Sequence, residues 1–218
     1  MTALIHLNGP PGIGKSTLAA RYADRHPGTL NLDIDTLHHL IGGWRTSQGQ
    51  FHDLLRPLAW AMAGTHLADG RDVILPQYVG DLQQLQIFER VAHDADADFI
   101  EIVLLDDRDA AIERFNSRDD DSEWTRHNNE LVADLGGDEF LASMYDRLLS
   151  VLDARPDALV VRSTGAIDET AALDGRSQRC ALRGDPTCWT SPSFTITGER
   201  CCNAEAAYPQ PPRMPGSR

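Results

Sequence analysis

An apolar run, residues 2–8, stops at Gly9-Pro10-Pro11-Gly12-Ile13-Gly14 and is followed by Lys15-Ser16-Thr17 and a stretch with helical periodicity reaching about Arg25. The run has the length of a strand, so the chain opens as strand, glycine-rich turn, helix. Residues 9–16 fit G-x-x-x-x-G-K-[ST], the phosphate-binding loop or P-loop; at this composition a chance match anywhere has odds of about 6 in 10,000. Gly9 and Gly14 allow backbone angles and close approaches that a side chain forbids, so successive N–H groups and the following helix N-terminus can surround phosphates. Lys15 would bring a compact cation to the β- and γ-phosphates, and Ser16 a hydroxyl to Mg2+. Lys15 is also the single lysine among 20 basic residues, the rest being arginine. An incidental lysine is therefore a poor explanation for this position.

Further along, apolar segments alternate with helical ones. Strands are expected over 29–35, 72–78, 99–105 and 158–163, and helices over 51–67, 81–93, 108–118 and 138–154, with a short helix near 168–173. Asp69-Gly70 closes the helix that begins at Phe51, and the polar, acidic stretch 119–129 has no period and is expected to be a mobile loop. Five strands alternating with helices imply an α/β fold, a parallel sheet covered on both faces.

Charge separates two regions. Residues 1–173 hold 14 basic against 29 acidic residues, a net of −15, while 174–218 hold 6 against 4. A body this acidic repels a phosphodiester backbone, so nucleic acid is excluded as a bulk partner, whereas a small anion in a local positive pocket is allowed. No apolar run approaches the ~18 residues of a membrane span, and the start of the chain lacks a secretory pattern, so no membrane association and a cytoplasmic location are expected. All four cysteines and six of the 12 prolines fall after residue 173, with few aliphatic residues, and 174–218 is expected to be a disordered tail.

Two further features stand near the loop in the expected fold. Asp33-Ile34-Asp35 ends the second strand, and residues two apart on a strand face the same way, so both carboxylates can look into one crevice. One can hold Mg2+ through water while the other accepts a hydroxyl proton, although either residue can instead cap the next helix. Arg114 and Arg118 are four apart on a helix face, and Arg126 follows in the acidic stretch; guanidinium forks suit the spread charge of a transferring phosphoryl group. His38, His39 and His127 could touch substrate, but the eight histidines lack metal-ligand spacing and read as surface or helix residues.

On residues 9–17, Asp33-Ile34-Asp35 and the Arg114/Arg118 helix before a polar lid at about 117–129, the chain resembles the small P-loop kinases over about residues 2–173. These comprise shikimate and gluconate kinases, chloramphenicol phosphotransferase and the zeta toxins, with adenylate kinase more distant. The resemblance implies a three-layer P-loop NTPase fold with a five-stranded parallel sheet of order 2-3-1-4-5. It implies ATP and Mg2+, held by residues 9–17 and Arg114, with Ser16 and Asp33 on the metal side. It also implies phosphoryl transfer to a hydroxyl of a small-molecule acceptor, with Asp35 as base and Lys15, Arg118 and Arg126 stabilising the transfer, in a monomer or homodimer. A nucleoside or nucleotide kinase, or an ATP-binding resistance or switch protein without an acceptor, are the alternatives. The third strand departs from the family: it ends Leu75-Pro76-Gln77-Tyr78 with no Walker B carboxylate, which puts Gln77 and Tyr78 where an acceptor would lie. Trp44, Arg45 and Arg56 fall in the acceptor-lid region of such kinases and suggest an aromatic or anionic acceptor, while Trp60 reads as core.

Overall fold

The computed structural model describes residues 2–46, 51–118 and 122–163, all within the compact unit Met1–Leu173. The expected helix near 168–173 and the tail 174–218 lie outside the described residues. Five parallel strands, β1 (Ala3–Asn8), β2 (Leu30–Asn31), β3 (Val73–Leu75), β4 (Asp98–Leu105) and β5 (Leu159–Arg162), form one sheet in the order β2-β3-β1-β4-β5. Among the described residues six α-helices accompany them: α1 (Lys15–Arg25), α2 (Phe51–Ala68), α3 (Leu82–Asp94), α4 (Arg108–Asn116), α5 (Glu123–Asp134) and α6 (Asp138–Asp153).

The period of two along β1 assigns its side chains to two cores. Ala3, Ile5 and Leu7 pack with Leu18 and Ala19 of α1 and with Ile100, Ile102 and Leu104 of β4. Leu4 packs on the opposite face with Leu55, Ala59 and Leu67 of α2 and Phe88 of α3. Trp60, expected in the core, packs against this second cluster and meets Phe88 edge-on at 6.4 Å. The α2 helix stops as expected: Gly70 has φ 79° and its N–H closes on the Leu67 carbonyl at 2.9 Å.

Three expectations need correction. Strand β2 is shorter than 29–35, because the Asp33 side chain caps a 3₁₀ segment, Ile34–Leu40, that starts immediately after Leu32 has donated to the Ile74 carbonyl. Strand β3 stops at Leu75 because Pro76 has no N–H for the ladder. The stretch expected to be a loop over 119–129 contains the first turns of α5: Ser122 Oγ accepts from the Thr125 N–H at 3.1 Å, and this cap starts the helix despite its polar composition.

All strands being parallel, their carboxyl ends share one edge of the sheet. That edge carries the loop after β1, the Asp33–Asp35 turn after β2, Gln77 after β3 and the start of α4 after β4, which is where open α/β sheets place ligands.

Candidate active site

Asn8 ends β1 as a fully buried side chain that ties two loops together. Its Oδ1 accepts from the N–H groups of Gly9 at 2.9 Å and Val79 at 3.0 Å, and its Nδ2 donates to the Val79 carbonyl at 3.0 Å. The phosphate-binding loop is thus anchored to the chain leaving β3. Its glycines are steric necessities: a Cβ at Gly9 would lie 2.6 Å from the Leu104 carbonyl oxygen, and one at Gly12 would lie 3.0 Å from the backbone of Phe115. Gly14 precedes α1 in the left-handed region, at φ 99°.

Lys15 is half-buried, and its ammonium donates to the carbonyls of Gly9 at 2.9 Å and Pro10 at 3.0 Å. Burial pulls it down to about 8, Arg118 adds to this, and Asp35 and Asp33 oppose it. Ser16 and Thr17 are exposed beside it at the start of α1.

Facing the loop, Asp33 and Asp35 do project into the same pocket, a cavity of about 530 Å³, but from a helical turn and not from a strand. Asp33 Oδ1 accepts from the Asp35 N–H at 3.1 Å, so Asp33 is the cap. Asp35 Oδ1 is buried without a hydrogen-bond partner, and the Gln77 side chain hydrogen-bonds the Asp35 carboxylate. Burial pushes the Asp35 carboxyl up to about 6; the Asp33 carboxylate pushes the same way, while Lys15, Arg118 and the Gln77 hydrogen bond oppose it. Beneath Gln77, the ring of His6 is held neutral, lowered by burial to about 4, and donates from Nε2 to the Gln77 carbonyl at 2.9 Å.

The structure does not bring the three arginines together as their spacing suggested. Arg118 lies beyond the end of α4, its guanidinium 4.8 Å from the Phe115 ring centre, and lines the pocket. Arg114 is on α4 proper, pairs with the buried Asp106 carboxylate at 2.5 Å and is not among the lining residues. Arg126 is exposed, because α5 turns Trp124, Thr125 and Asn128 toward the pocket and carries residue 126 to the outer side. Tyr78 also departs from expectation: its hydroxyl donates to the Met144 carbonyl of α6 at 2.9 Å, leaving Gln77 alone in the position foreseen for both.

An aromatic cluster was missed. His38, 2% exposed, is hydrogen-bonded through Nδ1 to the Asp35 carbonyl, stacks on Trp124 with centroids 4.4 Å apart and meets Trp44 edge-on at 4.2 Å. His127 approaches Trp44 at 5.4 Å, and Arg45 lies over the Trp44 ring while ion-pairing with Glu123. The signal was the pair Ser122 and Thr125 as a helix start, followed by Trp124, His127, Asn128 and Leu131 at helical spacing.

Oxygen donors suit Mg2+, which takes one or two protein ligands and completes its shell with phosphate and water. Ser16 and Asp33 supply that chemistry, and among the described residues no cluster of three metal-ligating side chains competes with it. No helix of the described residues is long and apolar enough to cross a membrane.

No curated protein sequence matches the chain. Among solved structures it is similar to a Deinococcus radiodurans tunicamycin resistance protein, at 17% identity with a TM-score of 0.54 over 84% of this chain and 96% of the other. It is also similar to a gluconokinase from Sinorhizobium meliloti, at 15% identity with a TM-score of 0.53 over 84% and 95%. At these identities the likeness concerns the fold, which is that of the P-loop kinases with their nucleotide-binding loop. The AAA domain family model matches residues 4–134, from β1 to the end of α5. The chain therefore belongs to that family, with the architecture of its small P-loop kinases.

Proposed function

We propose that the protein is an ATP-dependent phosphotransferase that moves the γ-phosphate to a hydroxyl of a small molecule. The observation that carries this reading is the Asp35 carboxylate: one oxygen is buried and unpartnered in the pocket that the phosphate-binding loop also lines. A binding protein has no use for a raised, desolvated carboxyl at that place; a general base does.

In the proposed reaction, N–H groups of residues 9–16 and the start of α1 hold the triphosphate. Lys15 exchanges its loop carbonyls for phosphate oxygens, and Arg118, which lines the same pocket, stabilises the transferring group. Asp35 accepts the proton of the acceptor hydroxyl while Gln77 fixes its carboxylate plane. Mg2+, when bound through Ser16 and Asp33, supplies charge neutralisation on the β- and γ-phosphates. Because Gln77 stands where a third carboxylate would be expected, the metal shell relies on phosphate and water for the remainder.

The test is ADP release from the full chain with ATP and Mg2+, scored with and without a panel of metabolites and antibiotics, with product mass as the second readout. Acceptor-dependent ADP and a product heavier by one phosphate are expected. Tight ATP binding with only slow, acceptor-independent hydrolysis would identify an ATP-binding switch or resistance protein instead.

A further inference from the structure

We infer that the acceptor is a neutral or cationic molecule that presents hydroxyl or amine donors and carries no carboxylate or phosphate of its own. The inference rests on the kinase reading above and narrows its substrate class.

The cations at the pocket among the described residues are Lys15 and Arg118, both beside the phosphate-binding loop. The wall away from that loop is made by Asp33, Asp35, His38, His39 and the α5 residues Trp124 and Asn128. Arg45, joined to His38 of this wall through the Trp44 ring, is already engaged with Glu123. An anionic acceptor would therefore meet the Asp35 carboxylate with no cation on that wall, among the described residues, to balance its charge, and like-charge contact of this kind is strongly selective against a ligand.

Hydrogen-bond polarity agrees with charge. The Asp35 carbonyl can only accept, so the His38 Nδ1 bonded to it carries the proton and Nε2 presents a lone pair; that Nε2 is buried without a partner, as is Asp35 Oδ1. Both orphans, together with the Asp33 carboxylate, are acceptors. A ligand rich in O–H or N–H groups satisfies them, whereas a carboxylate or phosphate adds only more acceptors.

The experiment uses the full chain with ATP and Mg2+ and three matched sets of probes: glucose and glucosamine against gluconate, glucose against glucose 6-phosphate, and adenosine against AMP. ADP release is read as kcat/KM, and binding of each probe is read separately by its effect on the melting temperature in the presence of a non-hydrolysable ATP analogue. The neutral or amine member should exceed its anionic counterpart about tenfold or more in each set that turns over or binds. In Asn128→Arg, which adds a cation on the α5 face of the pocket, that preference should shrink about tenfold. Binding of the neutral or amine probes without turnover of any would uphold the substrate class and overturn the kinase reading. Preference for gluconate, glucose 6-phosphate or AMP would overturn the inference while leaving the kinase reading intact, and binding of none of the probes would overturn the inference as well.

Discussion

Asp33 accepts a hydrogen bond from the backbone N–H of Asp35 at 3.1 Å, and this makes the two carboxylates of Asp33-Ile34-Asp35 chemically unlike. Asp33 has one oxygen committed to starting the 3₁₀ turn; Asp35 has one oxygen buried without a hydrogen-bond partner. Their substitutions should separate accordingly. Asp35→Asn keeps the shape and is expected to leave ATP affinity close to wild type, with a melting temperature no lower than wild type above about pH 6, while acceptor phosphorylation falls about 10²–10⁴-fold, as for loss of a general base. Asp33→Asn preserves the cap and should raise the Mg2+ requirement, whereas Asp33→Ala should in addition lose about 1 kcal/mol of stability. Titrations of activity against Mg2+ beside thermal melts distinguish the three.

The pH profile follows from the same residues. The Asp35 carboxyl, raised to about 6, must be ionised to take a proton, and the Lys15 ammonium, lowered to about 8, must be protonated to hold phosphate. The kcat/KM for ATP-dependent transfer should therefore rise through about pH 6 and fall through about pH 8. Asp35→Asn should abolish the acid limb. Stability carries an independent sign. A carboxyl whose folded pKa lies above its unfolded value near 3.8 gives stability that is present below that value and is lost as pH rises through about 6, so melting temperature over this window should depend less on pH in Asp35→Asn than in wild type.

What could be read from the sequence divides along physical lines. The glycine-rich loop and the two-sided core follow from short-range patterns: the alternation of Ala3, Ile5 and Leu7 against Leu4, and glycine where Leu104 and Phe115 come too close for a Cβ; the strand order comes only from the resemblance to the small P-loop kinases. Side-chain direction at strand ends does not. Asp33 and Asp35 looked alike as strand residues, and only the capping bond, which competes with one further ladder residue, sets them apart. Arg114 and Arg118 looked like an i, i+4 pair, yet the helix ends between them at Asn116 and Asp106 claims the first. The sequence marked His38 only as a residue that could touch substrate and not as the centre of a stack, because its partners, Trp44 and Trp124, are 6 and 86 positions away and only tertiary folding joins them.

The loop glycines should rank by what a methyl group meets. Gly9→Ala places Cβ 2.6 Å from a backbone oxygen, Gly12→Ala 3.0 Å from backbone atoms at φ 87°, and Gly28→Ala meets nothing within 4 Å at φ 93°. Gly28→Ala should cost only the left-handed penalty of about 1 kcal/mol. The first two should cost more, with Gly9→Ala the larger, and should also weaken ATP binding, because the displaced segment is the phosphate cradle. Denaturant melts with nucleotide titration give the order.

Arg118 and Arg126, equivalent in the sequence-based expectation, are not equivalent in the fold. Arg118→Ala should lower kcat by about 10²-fold or more with a smaller change in ATP affinity, since a guanidinium facing the transferring group acts mainly in the transition state. Arg126→Ala, on the exposed side of α5, should stay within about twofold of wild type in kcat. Equal losses in steady-state kcat would mean that α5 rotates to bring Arg126 inward during turnover.

Trp124 supplies the last test, because it joins α5 to the turn that carries Asp35. Its ring lies 17° from parallel with His38, and His38 is bonded to the Asp35 carbonyl, so Asp35, the buried imidazole and the indole are linked from the turn after β2 to α5. Removing the indole in Trp124→Ala deletes an aromatic contact of about 0.5–1.5 kcal/mol beyond its buried area and frees His38 to move with the Asp35 turn. ATP affinity should survive, since the phosphate loop is anchored separately through Asn8 and Val79. The acceptor KM should rise about tenfold or more, and kcat should fall as Asp35 loses its fixed orientation. Trp124→Phe keeps a stacking ring and should restore most of both, which separates a positioning role from mere bulk. An unchanged acceptor KM in Trp124→Ala, measured at saturating ATP, would show that α5 takes no part in holding the acceptor.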